Sequence, residues 1–155
     1  MNKSTLLLAV IVFFISACNS TDKQLSQTEA LYHQALENKD AATVKVALNQ
    51  LLLLDSTSIE YQDSLSRVYM RNGNFNAGLK YAELVYNAGK AEAKLKENMA
   101  LAYQQVGETE KAEKFIDNLI VETGNYKYLY QKLVIQYENG NQIKFDSLST
   151  DILGQ

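Results

Sequence analysis

The sequence predicts an all-α fold: a right-handed superhelix of helix-turn-helix repeats, with about seven or eight helices after an N-terminal leader. Three observations predict it. The stretch from Val68 to Leu79 returns 34 residues later as Ala102 to Glu113, so that Tyr69 meets Tyr103, Gly73 meets Gly107 and Gly78 meets Ala112. A further step of 34 lands on Tyr137. The 155 residues contain no proline, so the long apolar-periodic runs meet no helix breaker. The apolar share, 46%, is enough for a real core. Each unit of such an array leaves an apolar face that only its neighbour covers, so the units fold as a stack.

The chain opens on a charged residue, Lys3, followed by an unbroken apolar run from Leu6 to Ile15 and the small residues Ser16 and Ala17. This reads as a secretory signal over residues 1–17. The run falls short of the roughly 20 apolar residues that span a bilayer. Ile15-Ser16-Ala17-Cys18 resembles the bacterial lipobox, in which an apolar residue and two small ones precede a cysteine. The resemblance implies cleavage before Cys18, thioether lipidation of its thiol and acylation of the new amino terminus. An ordinary cleaved signal and an uncleaved anchor are the alternatives. Several acyl chains on one residue exceed what stable anchoring needs. Asn19, rather than Asp, follows the cysteine; by the sorting rule that the resemblance brings, this implies the outer membrane of a Gram-negative cell, facing the periplasm. Residues 18–24 form a polar tether for a domain spanning residues 25–155.

The 34-residue spacing resembles the tetratricopeptide repeat, in which two helices approach closest at small residues 8 and 20 of each unit. In the unit starting at Ile59, Leu65, Ser66, Tyr69, Gly73, Phe75, Gly78 and Leu79 take positions 7, 8, 11, 15, 17, 20 and 21. Asn72-Gly73-Asn74 is a stop-and-turn, because glycine tolerates positive φ. The unit starting at Ala93 places Met99, Ala100, Tyr103, Gly107, Ala112, Ile116 and Leu119 in the same scheme, with Lys96 and Thr109 departing from it. The unit starting at Lys127 brings Tyr130, Leu133, Val134 and Tyr137 to core positions; beyond Asn139-Gly140-Asn141 the register holds only if the turn is a residue shorter. Ile143, Phe145, Leu148 and Ile152 then form one stripe of a capping helix. From about Leu25 to Leu54 a helical hairpin is expected, although Tyr32 stands where a small residue belongs and Ala35 where a tyrosine does. The expected units are 25–58, 59–92, 93–126 and 127–155.

Composition narrows the function. The net charge of −3 argues against nucleic acid, which demands a clustered basic face. One cysteine and one histidine are too few for a zinc site or a Cys-His pair. His33 has no nucleophile at a meaningful spacing, and the glycines match no phosphate loop. No enzyme, cofactor or metal is therefore expected.

A binding surface is expected instead, for a protein or peptide partner. The resemblance implies an inner groove lined by positions 2, 5, 9, 12 and 13 of each leading helix. Those positions select Glu60, Asp63, Arg67, Met70 and Arg71, then Lys94, Glu97, Leu101, Gln104 and Gln105, then Tyr128, Gln131, Ile135, Glu138 and Asn139, of which Arg67, Met70, Arg71, Leu101, Gln104, Gln105 and Gln131 are the expected partner contacts. Arg67 and Arg71 are one turn apart and can grip a carboxylate, or pair with Asp63 and its neighbours. Tyr126 and Tyr128 are expected to be exposed and to offer a second interface, with Tyr130 in the core. The resulting expectation is a lipid-anchored envelope scaffold. A structural subunit of an envelope machine and a non-catalytic regulator of a glycan or peptidoglycan enzyme are the alternatives.

Overall fold

The computed structural model describes residues 21–141, 145–147 and 149–150. Cys18 lies outside them, as do Ile143, Leu148 and Ile152 of the expected capping stripe. All regular structure among the described residues is helical. Helix α1 covers 21–37, followed by α2 (Ala41–Leu54), α3 (Ile59–Arg71), α4 (Phe75–Asn87), α5 (Ala93–Gln105), α6 (Thr109–Thr123) and α7 (Tyr126–Glu138). Residues 145–147 and 149–150 are helical as well. The chain forms two compact units, Met1–Tyr61 and Gln62–Gln155.

One backbone bond closes the leading helix of every hairpin. The amide of Asp40 donates to the Ala35 carbonyl (2.9 Å), Asn74 to Tyr69 (2.9 Å), Glu108 to Tyr103 (2.8 Å) and Asn141 to Gln136 (3.0 Å). This is the 6→1 closure of a helix C-terminus through a left-handed residue. Gly73, Gly107 and Gly140 hold that residue's place with φ of +74°, +79° and +66°. In the first hairpin Lys39 holds it at φ +55°, with a Cβ that glycine lacks. The next residue then starts the return helix. The Asp40 carboxylate accepts from Thr43 N (3.1 Å), and the Asn74 carboxamide from Ala77 N (3.3 Å). The hairpin from α1 to α2 thus turns as the others do.

In the first unit, α1 buries Thr28 and Ala35, and α2 buries the stripe Val44, Ala47, Leu48 and Leu51. Tyr61 donates to Glu29 at 2.5 Å. That bond, with some burial, pushes the phenol up to about 12.

The second unit is built on close helix contacts. Ser66 and Gly78 are buried where α3 meets α4, and Ala100 and Ala112 are buried in α5 and α6. A Cβ on Gly78 would come within 2.5 Å of Met70 Cγ and 3.1 Å of the Ser66 carbonyl. The same approach sets aromatic rings face to face twelve residues apart. Tyr69 stacks on Tyr81 (5.9 Å) and Tyr103 on Phe115 (5.6 Å), with Tyr86 edge-on to Phe115 at 5.0 Å. The Tyr103 hydroxyl donates to Glu83 at 2.5 Å, and burial followed by this bond pushes the phenol well above its usual range. Lys96, at an expected core position, is kept there by donating to both oxygens of Glu122 (2.6 and 2.8 Å).

Helix α7 departs from expectation. Its buried residues are Tyr128, Ile135 and Gln136, which follow Leu95, Ala102 and Tyr103 of α5 by 33 residues rather than 34. Tyr128, expected to be exposed, is only 4% exposed, whereas Tyr130 (68%) and Tyr137 (70%), expected in the core, stand out in solvent with Tyr126 (69%). The cause lies upstream. Helix α6 has 15 residues against 13 in α4, and only Gly124 and Asn125 separate it from α7, whereas residues 88–92 separate α4 from α5. Gly124 at φ +60° ends one helix, and the Asn125 side chain caps the next by accepting from Lys127 N at 3.0 Å. One residue lost from the period turns the buried face by about 100°. Gln136 takes the place of a stacked ring and donates to Glu113 at 2.5 Å, while Lys132 reaches Asp117 at 2.6 Å.

Two substitutions check this packing. Gly78→Val forces a branched side chain into the α3–α4 contact and is expected to lower stability by about 2–3 kcal/mol in chemical denaturation. Lys39→Gly relieves the left-handed conformation of a residue with a Cβ and is expected to raise stability by roughly 0.5–1 kcal/mol in the same assay.

Candidate functional site

The leading helices α3, α5 and α7 present a common face. Lys127 of α7 and Lys94 of α5 both reach Glu97 (3.2 and 3.4 Å), and the Gln104 carboxamide donates to Glu138, so α5 and α7 are joined directly. Two adjoining hollows run along this face. The first, about 330 Å³, is lined by Arg67, Met70, Arg71, Phe75, Lys94, Asn98 and Leu101. The second, about 310 Å³, includes Glu97, Leu101, Gln104, Gln105, Tyr130, Gln131, Val134 and Glu138 in its wall. Leu101 belongs to both and is 52% exposed, although α5 buries Ala100 and Ala102 on either side of it.

The structure therefore places Arg67, Met70, Arg71 and Leu101 around one hollow, and Leu101, Gln104, Gln105 and Gln131 around the next. Their chemistry differs. Arg67 is held by Asp63, with Nε at 3.1 and 3.0 Å from the two carboxylate oxygens and a terminal nitrogen at 2.7 Å. This bond raises the guanidinium pKa further and occupies the fork. Arg71 is exposed, and its side chain makes no ion pair or hydrogen bond among the described residues. The Gln131 Oε1 atom is shielded from solvent and accepts no hydrogen bond there. Tyr126 and Tyr128, expected together on a second surface, are separated by burial: Tyr126 is open, and Tyr128 is packed inward under the Lys127 ammonium, 4.5 Å from its ring centre.

Sequence reasoning missed Asn98, Phe75, Tyr130 and Val134 as lining residues. Phe75, Tyr130 and Val134 hold core positions in the repeat, and Asn98 stands one residue from an expected groove position. No sequence signal marked them, because lining depends on the rotation of each helix. A further hollow of about 240 Å³ lies among α4, α5 and α6 beside the Tyr86, Tyr103 and Phe115 rings. His33 is exposed, 5.2 Å from the Tyr32 ring. Among the described residues no helix is long and apolar enough to cross a membrane.

No family model and no curated protein matches the sequence. Solved structures do resemble the fold. MamA from residue 41 to its end, from Desulfovibrio magneticus RS-1, is 15% identical with a TM-score of 0.68, over 99% of this chain and 96% of that one. The N-terminal domain of stress-induced protein-1 from C. elegans is 16% identical with a TM-score of 0.57, over 75% and 97%. A tetratricopeptide repeat protein from Parabacteroides merdae is 12% identical with a TM-score of 0.57, over 98% of this chain and 60% of that one. At such identities the likeness is one of fold, and the fold is the all-α, tetratricopeptide-like stack of helical hairpins.

Proposed function

We propose that this chain is a non-catalytic scaffold that docks an extended protein segment along α3, α5 and α7, and that lipidated Cys18 holds it at a membrane of the cell envelope, in the outer membrane facing the periplasm. The observation that carries the docking reading is Leu101, a large aliphatic side chain left half in solvent where two lined hollows meet. An apolar anchor with an unpaired guanidinium on one side and carboxamides on the other is what a peptide needs, namely one burial site and several polar contacts to set its register. The anchoring reading rests on the leader alone: a short apolar run, two small residues and the chain's single cysteine placed directly after them.

A second reading has its own observation. Tyr126, Tyr130 and Tyr137 are each more than two-thirds exposed on α7, and exposed tyrosines are favoured at interfaces. They fit an assembly subunit that meets its neighbour through its C-terminal end.

Site-specific photocrosslinking in cells separates the two. A crosslinker at position 101 is expected to yield a discrete adduct that Arg71→Glu abolishes, while a crosslinker at the outward Val121, 87% exposed, yields none. An adduct from position 137 with none from 101 would replace the groove reading with the assembly one. For the anchor, Cys18→Ala is expected to leave the protein unprocessed or free of membranes; unchanged fractionation and unchanged mass would refute lipidation.

A further inference from the structure

The two hollows differ in charge. Among the described residues, Arg67, Arg71 and Lys94 line the first with no carboxylate, and Glu97 and Glu138 line the second with no cation. Within each, most charges are already answered. Asp63 occupies Arg67, Lys94 and Lys127 flank Glu97, and Gln104 donates to Glu138. Arg71 remains: it offers a whole guanidinium fork to the first hollow, beside the Asn98 carboxamide. In the second, the Glu97 and Glu138 carboxylates keep lone pairs beyond those that Lys94, Lys127 and Gln104 use, and these can accept from a ligand's donor.

Resting on the groove reading above, we propose that this face selects a dipolar segment of a partner protein. An aspartate or glutamate side chain enters the first hollow against Arg71, an apolar side chain covers Leu101, and a hydrogen-bond donor enters the second hollow toward Glu97 and Glu138. Neighbouring leading helices lie roughly 8–10 Å apart and an extended chain advances about 3.3 Å per residue, so the apolar residue over α5 stands about three residues from the acid over α3, and the donor over α7 about five or six. The hollows are open and continuous through Leu101, so the acidic group is a side chain of a segment that passes through. The carboxylates of the second hollow oppose the reversed seating, which fixes direction as well as composition.

The test is selection of random displayed peptides on the full-length protein in detergent micelles. Enrichment of Asp or Glu, then an apolar residue about three positions on, then Lys, Arg, Asn or Gln about five or six positions from the acid is expected. Arg71→Glu should weaken a selected peptide about tenfold or more and shift the preference at that position to Lys or Arg. Glu97→Gln with Glu138→Gln should weaken it about tenfold and remove the preference for Lys or Arg at the donor position. Enriched peptides that lack the acid, or keep full affinity for Arg71→Glu, overturn the proposal. So does a donor preference that persists in the Glu97→Gln, Glu138→Gln variant. Peptides that fail with Leu101→Asp yet show no acidic preference sink this inference and leave the groove reading standing; peptides indifferent to Leu101→Asp sink both.

Discussion

The second unit depends on how closely two helices approach at a pair of small side chains. Ser66 faces Gly78 with no room for a Cβ, and Ala100 and Ala112 are buried at the corresponding positions of the next hairpin. Close approach lets dispersion act over many atoms at once, and it leaves little freedom for helix rotation. The ring pairs Tyr69–Tyr81 and Tyr103–Phe115 then stack across each hairpin. With inner faces locked in this way, the side chains on the outer face of each leading helix are decided. Arg71, Leu101 and Gln104 come to the surface because Met70, Ala100 and Tyr103 go inside.

The last leading helix shows what happens when the step changes. Gly124 and Asn125 make a two-residue turn after a longer α6, and α7 enters one residue early. Its buried stripe becomes Tyr128, Ile135 and Gln136, and Gln136 donates back to Glu113 of α6, in the preceding hairpin. The same rotation turns Tyr130 toward the second hollow and leaves Tyr137 exposed, where its ring meets Phe145 at 5.8 Å. A shift of one residue thus moves aromatic surface from core to exterior without altering the fold.

Much of this was legible in the sequence, and the reasons are local. Turn chemistry is written in single residues: Gly73 and Gly107 supply positive φ, and Asn74 caps α4, so the period of 34 declares itself. Small residues at 66, 78, 100 and 112 announce the close contacts. Lys39 was not legible, because its left-handed backbone is held by the 6→1 bond from Asp40 to Ala35 and not by a residue that favours it. The register of α7 was not legible either. Tyr126, Tyr128 and Tyr130 all satisfy an apolar pattern, and only the lengths of α6 and its turn decide which of them is buried. At the groove, the repeat positions brought out Arg67 and Arg71 as a pair, but charge pairing separates them: Asp63 takes one and leaves the other.

The central claim is that the face made by α3, α5 and α7, and not the outer face of α4 and α6, is where this protein meets its partner. Hydrogen exchange of the full-length protein, with and without a bound selected peptide, tests it most directly. Slowed exchange concentrated in the C-terminal turn of α3 and along α5 and α7, with α4 and α6 unchanged, is the predicted result. Protection confined to α4 and α6, beside the Tyr86 and Phe115 rings, would contradict it.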